Sequence, residues 1–79
     1  MKVHVKLIAT YLKLLPPEAT GNMVELEIAE GTTIKDVLSP IGVPLDDSSV
    51  IVLNGFTVGL DTPLSEGDVI TAFSAIAGG

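Results

Sequence analysis

Two segments near the start of the sequence alternate apolar and polar residues with the period of two that is typical of half-buried β-strands. In the first segment, 1–9, every odd position is apolar: Met1, Val3, Val5, Leu7 and Ala9. In the second, the inward positions are Val24, Leu26 and Ile28. If the two strands pair as an antiparallel hairpin, Lys2 and Lys6 lie opposite or diagonal to Glu25 and Glu27, and each such pair contributes roughly 0.2–1 kcal/mol. The charge pattern therefore favours the hairpin.

One helix is predicted after the second strand. Apolar residues recur at i, i+3, i+4 and i+7 and form one stripe: Ile34, Val37, Leu38 and Ile41. Thr33 is the expected N-cap, with Asp36 three residues on, where an acid suits the helix dipole. Because Pro40 has no N–H for the helical ladder, we expect the helix to end near Ser39, with Gly42 in the turn.

The remaining elements are a long connection and three strands. Pro16 and Pro17 exclude a long helix from the connection 11–22. Because it contains four apolar residues, part of it is expected to fold back on the core: Tyr11, Leu12, Leu14 and Leu15. The apolar run 50–53 is typical of a strand buried on both faces. Asn54 and Gly55 indicate a type I′ turn into a short edge segment, 56–58, and 69–73 is the last strand.

This order of elements predicts an α+β fold. A hairpin, a crossover helix and a late strand give one mixed sheet of four to five strands with the helix across one face, the pattern of a single-domain β-grasp. The expected division is a domain over 1–73 and a flexible tail over 74–79.

The composition excludes several functions. The 79 residues are 47% hydrophobic and 18% charged, which is typical of one globular domain. There is no Cys, and His4 is the single histidine, so thiol catalysis, disulfides and multi-histidine metal sites are excluded. Four lysines against ten acids give a net charge of −6, which argues against nucleic acid as a partner. No apolar run is long enough for a membrane span and no signal peptide is recognisable, so we expect a cytoplasmic protein that is not an enzyme.

The sequence ends in Gly78 and Gly79. Glycine lacks Cβ, so such a tail can pass through a narrow channel and present its carboxylate to another protein. Fully extended, the six residues 74–79 reach roughly 20 Å beyond the last strand. The alternative is an ordinary frayed terminus.

Five features in this order resemble the MoaD/ThiS family of ubiquitin-like sulfur-carrier proteins. The similarity covers essentially the whole chain. It includes the segments 3–7 (VHVKL), 24–26 (VEL), 30–33 (EGTT), 53–55 (LNG) and 61–70 (DTPLSEGDVI), followed by the Gly-Gly end. The resemblance implies the ubiquitin-like β-grasp fold with the first and last strands at the centre of the sheet.

The resemblance also implies the chemistry. In this family an activating enzyme related to ubiquitin E1 uses ATP and Mg²⁺ to adenylate the C-terminal carboxylate, which is then converted to a thiocarboxylate. The modified residue would be Gly79, with Gly78 and Ala77 required for threading, and this chain itself would bind no cofactor. The sulfur acceptor would be a molybdopterin synthase large subunit or a thiazole synthase.

The pathway is read from two features that disagree. The ending 73–79 (FSAIAGG) is closer to thiazole-pathway carriers, whereas the long connection 11–22 and the chain length are closer to the molybdopterin or tungsten-cofactor branch, which we favour. Two other functions share the sequence features. One is a protein modifier that joins Gly79 to lysines of targets, and the other is a β-grasp interaction module without chemistry at the terminus.

Four apolar residues are candidates for partner docking. Ile76 lies beyond the last strand, where docking is favoured over an internal contact. Phe73 is in phase with Val69 and Thr71, and we expect it to end the buried face instead. Phe56 and Val58 form either an exposed edge patch or a cover for the core. The segment 36–79 contains six acidic residues and no lysine. This composition indicates either a charged face around the tail or ordinary solubility.

Overall fold

The computed structural model describes residues 1–76, which form a five-stranded sheet, one α-helix and one 3₁₀ helix. The elements in chain order are β1 (Lys2–Leu7), the 3₁₀ helix (Ala9–Leu14), β2 (Met23–Glu27), α1 (Ile34–Ile41), β3 (Ser49–Leu53), β4 (Phe56–Thr57) and β5 (Val69–Ser74). The strand order is β2-β1-β5-β3-β4. Strands β1 and β5 are parallel, and the other neighbours are antiparallel. The predicted mixed sheet is confirmed, with the first and last strands adjacent inside it.

The β1–β2 hairpin has the register that the charge pattern predicted. Lys2 lies opposite Glu27, and its ammonium is 3.8 Å from a carboxylate oxygen of Glu25, the diagonal neighbour. The N-terminal amine is 3.3 Å from Glu27. Since these side chains are largely exposed, each pair stabilises the hairpin by no more than about 1 kcal/mol.

The core lies between α1 and one face of the sheet, which we call the core face. Twelve buried apolar residues form it: Val3, Val5, Leu7, Tyr11, Val24, Ile34, Val37, Leu38, Val43, Leu64, Ile70 and Ala72. Alternation places the even-numbered residues of β1, and the odd-numbered residues of β2 and β5, on the opposite face. We call this second side the open face.

The start of α1 follows the predicted capping box. Thr33 Oγ1 accepts a hydrogen bond from the Asp36 amide at 3.3 Å, and Asp36 Oδ2 accepts one from the Thr33 amide at 3.1 Å. The predicted end near Ser39 is wrong, because α1 includes Pro40 and continues to Ile41. A proline in the last turn loses the bond from its own missing N–H, but the amide of Gly42, at φ 98°, still closes the helix.

Part of the connection after β1 folds back on the core, as predicted. It contains the 3₁₀ helix, which buries Tyr11 and is followed by Leu15, packed with Leu14 against the core. Leu12 is 44% exposed and lies outside the part that folds back. A 3₁₀ helix turns once every three residues, so it cannot direct all four apolar residues to one side.

Strand β3 is not buried on both faces as predicted. All five of its residues are half-buried. Ile51 and Leu53 pack against the core, whereas Val50 and Val52 lie on the open face. The Asn54–Gly55 turn has positive φ at both residues, as type I′ requires, and leads into β4. No helix among residues 1–76 has the length and apolar character needed to cross a membrane.

Candidate functional site

Strand β5 carries the backbone from the interior of the sheet to the surface. Its last residue, Ser74, pairs with Ser49 of β3. The amide of Ala75 donates to the Ser48 carbonyl at 2.8 Å, and the amide of Ile76 donates to Ser74 Oγ at 3.1 Å. Ala75 and Ile76 are exposed, so we call 74–76 the tail exit. Ala77, Gly78 and Gly79, the residues predicted to thread and react, lie outside the described residues.

Tyr11 contacts the segment that adjoins the tail exit. Its hydroxyl lies 2.5 Å from Ser49 Oγ and 3.4 Å from the carbonyl oxygen of Ser48, the same carbonyl that holds Ala75. The tyrosine ring is buried in the core. Tyr11 therefore connects the core directly to the segment that fixes the direction of the tail exit.

Asp46 closes the loop that precedes β3. Its Oδ1 accepts hydrogen bonds from the hydroxyl and the amide of Ser48. These bonds favour the ionised carboxylate, and they hold the pKa of Asp46 below its ordinary value. The carboxylate thus stays charged and keeps the Ser48 carbonyl in place beside Ala75.

Phe73 does not end the buried face, and that prediction is wrong. The buried residues of β5 are Ile70 and Ala72, which pair with Val5 and Leu7 of β1. Phe73 is half-buried on the open face, opposite Val50 of β3. An apolar area, which we call the open-face patch, leads from the sheet centre to the tail exit and contains Val50, Val52, Val69 and Phe73.

The other docking candidates occupy different surroundings. Ile76 is 60% exposed and Phe56 is 74% exposed, so both are available to a partner. Val58 instead packs against the core. Which of these residues touch a partner remains a prediction.

Sequence reasoning missed one apolar residue near the tail exit. Ile8 is 37% exposed and its amide donates to the Ala72 carbonyl at 3.2 Å, which places it beside the end of β5. Leu12 is exposed on the 3₁₀ helix that follows. In the sequence, Ile8 follows Lys6, which lies on the open face, and Leu7, which lies in the core. The signal that could have identified Ile8 was an apolar residue at the next position of the polar phase.

The acidic side chains of 36–76 are dispersed. Asp46 and Asp47 lie in the loop next to the tail exit, whereas Asp61 pairs with Lys35 at 3.5 Å, and Asp68 accepts a bond from the Asn54 side chain. Of these acids, Asp46 is placed beside the tail exit by its hydrogen bonds to Ser48, and Asp47 is its neighbour in sequence. Across residues 1–76, no three His, Cys, Asp or Glu side chains are grouped to hold a metal ion.

The chain matches one family model and several solved structures. The model of the family described as Mut7-C ubiquitin matches residues 1–77. A putative molybdopterin converting factor subunit 1 from Pyrococcus furiosus is 28% identical, with 95% of this chain and 98% of that chain covered and a TM-score of 0.74. SAMP1 from Haloferax volcanii is 20% identical over the full length of both chains, with a TM-score of 0.79.

A third structure is a protein–protein complex of subunits 1 and 2 of the molybdopterin-converting factor from Helicobacter pylori. The matched chain is 21% identical over the full length of both chains, with a TM-score of 0.61. Curated proteins gave no significant match. The matches confirm the β-grasp, ubiquitin-like fold and the resemblance to MoaD-like proteins.

Proposed function

Because the chain belongs to the Mut7-C ubiquitin family, we propose that it is a ubiquitin-like sulfur carrier whose reactive group is the Gly79 carboxylate. The observation that carries the proposal is the tail exit. Strand β5 runs through the sheet interior, and the backbone leaves it at the exposed residues Ala75 and Ile76. The likeness to the P. furiosus converting-factor subunit, 28% identical over 95% of this chain, supports the assignment.

The chemistry proceeds in two steps on a partner enzyme related to E1. The Gly79 carboxylate attacks the α-phosphorus of Mg²⁺-bound ATP, so an acyl–O–P bond forms and pyrophosphate leaves. Hydrosulfide then attacks the acyl carbon, the C–O bond to phosphate breaks, and AMP leaves with the bonding electrons. The product is a C-terminal thiocarboxylate, and no oxidant or reductant is consumed. ATP, Mg²⁺ and the sulfur source belong to the partner enzyme, and this chain supplies the acyl group.

The sulfur acceptor that we propose is a molybdopterin synthase large subunit or its tungsten-pathway equivalent. The H. pylori complex shows that a protein of this fold joins a second converting-factor subunit. In this chain the open-face patch and the exposed Ile76 adjoin the tail exit, so they offer an apolar docking area next to the reactive terminus. A thiazole synthase is the competing acceptor.

Pyrophosphate exchange tests the activation step directly. With a cognate E1-like enzyme and ATP, the unaltered chain should drive exchange of labelled pyrophosphate into ATP. Deletion of Gly78 and Gly79 should abolish exchange, and Gly78→Ala should reduce it strongly, because a Cβ narrows the fit to a channel. Gly59→Ala is the matched control, since a Cβ at Gly59 has no neighbour within 4 Å and the backbone there needs no glycine.

Two results would contradict the carrier function. Full exchange by the chain lacking Gly78 and Gly79 would leave the terminus without a role and favour a plain interaction module. Activation followed by ATP-dependent conjugates of high mass in cell extracts, with no transfer of sulfur to either acceptor, would favour a protein modifier.

A further inference from the structure

Strand β2 forms one edge of the sheet and leaves part of its backbone unpaired by β1. The amide of Ile28 donates to the Met1 carbonyl at 2.8 Å, so residues in the phase of Ile28 point their backbone groups toward β1. By the alternation of an antiparallel ladder, the N–H and C=O groups of Glu25 and Glu27 point away from β1. Among residues 1–76, Thr20 forms an isolated bridge with Met23 on this outer side, and no strand pairs with it at Glu25 and Glu27. These groups form a template for an additional strand.

An apolar groove of about 370 Å³ lies beside this edge, between β2 and α1. Leu26 and Ile28 form one wall, and Val37, Pro40 and Ile41 form the other. We call it the β2 groove. It is separate from the tail exit, because it lies at the opposite edge of the sheet from β3 and β4.

The rim of the β2 groove is acidic. Glu27 and Asp36 line the groove, and Glu25 lies two residues along the same edge. Hydrogen bonds from Thr33 hold the pKa of Asp36 below its ordinary value, so this carboxylate is ionised at neutral pH. Lys2 is 3.8 Å from Glu25 and the N-terminal amine is 3.3 Å from Glu27, so the three carboxylates face two cations, and Asp36 belongs to neither pair. The rim therefore favours a cationic occupant.

The pairing of β2 with β1 indicates which residue types suit a strand beside β2. There, β1 places Val3 opposite Leu26, and Lys2 and His4 opposite Glu27 and Glu25. Residues directly opposite in a ladder share a face. A strand added to the outer side would obey the same rule, with apolar residues opposite Leu26 entering the groove and basic residues opposite the two glutamates.

A second copy of this chain does not fit that rule. Antiparallel pairing of two β2 edges places glutamates of one copy across from glutamates of the other, and like charges in that position are destabilising. The acids thus disfavour self-association at this edge.

We propose that the β2 groove binds an extended segment of a partner protein as a sixth strand, with lysine or arginine alternating with aliphatic residues. The main-chain hydrogen bonds come from Glu25 and Glu27, and the groove accepts the aliphatic side chains. This binding is independent of the chemistry proposed for Gly79, and it leaves the tail exit free.

The probe is a fluorescein-labelled peptide, Lys-Val-Lys-Val-Thr, acetylated and amidated at its ends. It should bind saturably, and the amide resonances of Glu25, Glu27 and α1 should shift in ¹H–¹⁵N spectra. A peptide with glutamate in place of both lysines should not bind, and neither should one whose backbone nitrogens are methylated, because it cannot donate to the edge.

Charge variants of the protein complete the test. Glu25→Gln combined with Glu27→Gln should weaken binding about 3- to 10-fold, from the loss of two cross-strand charge pairs. Asp47→Asn combined with Asp61→Asn changes the net charge equally at sites outside the β2 groove, and it should leave affinity within about 2-fold. Circular dichroism confirms that both variants are folded.

Three outcomes would overturn the proposal. The first is no saturable binding at millimolar peptide. The second is a set of resonance shifts confined to the open face. The third is equal weakening by the two charge variants, which would reduce the interaction to net charge. If the unaltered chain binds no peptide and the Glu25/Glu27 variant dimerises, these acids serve only to protect a bare sheet edge.

Discussion

Replacing Phe73 by alanine separates partner docking from folding, and Ile70→Ala in the same strand is its counterpart. The two residues lie three apart on β5 and face opposite sides of the sheet. Ile70 has no exposed surface and packs in the core, whereas Phe73 is half-buried on the open face. Ile70→Ala should therefore mainly lower stability, whereas Phe73→Ala should mainly weaken binding.

The magnitudes follow from burial. Truncating a fully buried isoleucine costs about 2–5 kcal/mol, through lost transfer free energy and the cavity that remains. Phe73 has most of its surface buried, so its removal costs about 1–2.5 kcal/mol, since full burial of this side chain contributes about 1.5–3 kcal/mol. A chain of this length has a free energy of unfolding of about 4–12 kcal/mol. Ile70→Ala should thus lower Tm by more than about 10 °C, and Phe73→Ala should lower it by a smaller amount.

Urea unfolding followed by circular dichroism gives both free energies, and calorimetric titration with the activating enzyme or the acceptor subunit gives the affinities. At a temperature where both variants are folded, Phe73→Ala should weaken association at least about 10-fold, as expected for an aromatic anchor. Ile70→Ala should change affinity by less than about 3-fold. Equal destabilisation by the two variants would refute the assignment of Phe73 to the open face. Unchanged affinity of Phe73→Ala for both partners would remove it from the docking surface.

Three further predictions concern the cap, the tail exit and acid. Thr33→Ala removes the N-cap of α1 and should lower the free energy of unfolding by about 1 kcal/mol in urea titrations, and Thr33→Ser should restore it; no loss in Thr33→Ala would contradict the capping role. Tyr11→Phe removes the hydroxyl that contacts Ser48 and Ser49, and it should lower the free energy of unfolding by about 0.5–1.5 kcal/mol. It should also speed hydrogen exchange at the Ala75 amide. Unchanged exchange at Ala75 would show that the tail exit does not depend on the Tyr11 hydroxyl. The folded-state pKa values of Asp36 and Asp46 are lowered, so their stabilisation is complete above the unfolded pKa of about 4 and is lost as pH falls through the lower folded values. Stability profiles of Asp36→Asn should be flatter than those of the unaltered chain between about pH 5 and pH 2, and an identical slope would contradict the assigned shift.

Local chemistry made the hairpin and the helix start predictable from the sequence. The alternation of 1–9 and 24–28 sets both the strands and their buried faces, and opposite charges then select the register, as the Lys2–Glu27 pairing shows. The capping box depends on two residues three apart, Thr33 and Asp36, and it forms as expected. These features depend on neighbours in sequence or on one pairing.

The errors arose where both phases of a strand are apolar. In β5, the phase of Ile70 and Ala72 and the phase of Val69 and Phe73 are equally plausible buried faces from composition, and the larger aromatic residue suggested the wrong one. The pairing with β1 decides the question, because Ile70 lies beside Val5 on the core face. The same ambiguity made 50–53 resemble a fully buried strand, although Val50 lies on the open face, opposite Phe73, and is only half-buried.

The sequence predicted where in the chain the candidate site lies, but not which residues surround it in the fold. The Gly-Gly ending predicted that the terminus is the reactive region, and Ile76 was recognisable as an apolar residue beyond the last strand. Ile8 and the Tyr11 support reach the tail exit only through the parallel pairing of β1 with β5 and the turn of the 3₁₀ helix. Contacts between residues so distant in sequence leave no mark in local periodicity.

Intact-protein mass spectrometry tests the central claim most directly. The chain is incubated with a proven cognate E1-like enzyme, Mg²⁺-ATP and sulfide, and a sample without ATP serves as the control. The account predicts a gain of about 16 Da, the replacement of one oxygen by sulfur, on the C-terminal peptide that ends in Gly79. An unchanged mass with an enzyme that activates its own carrier in parallel, or a gain located on any other peptide, would contradict the claim that the Gly79 carboxylate is the reactive group.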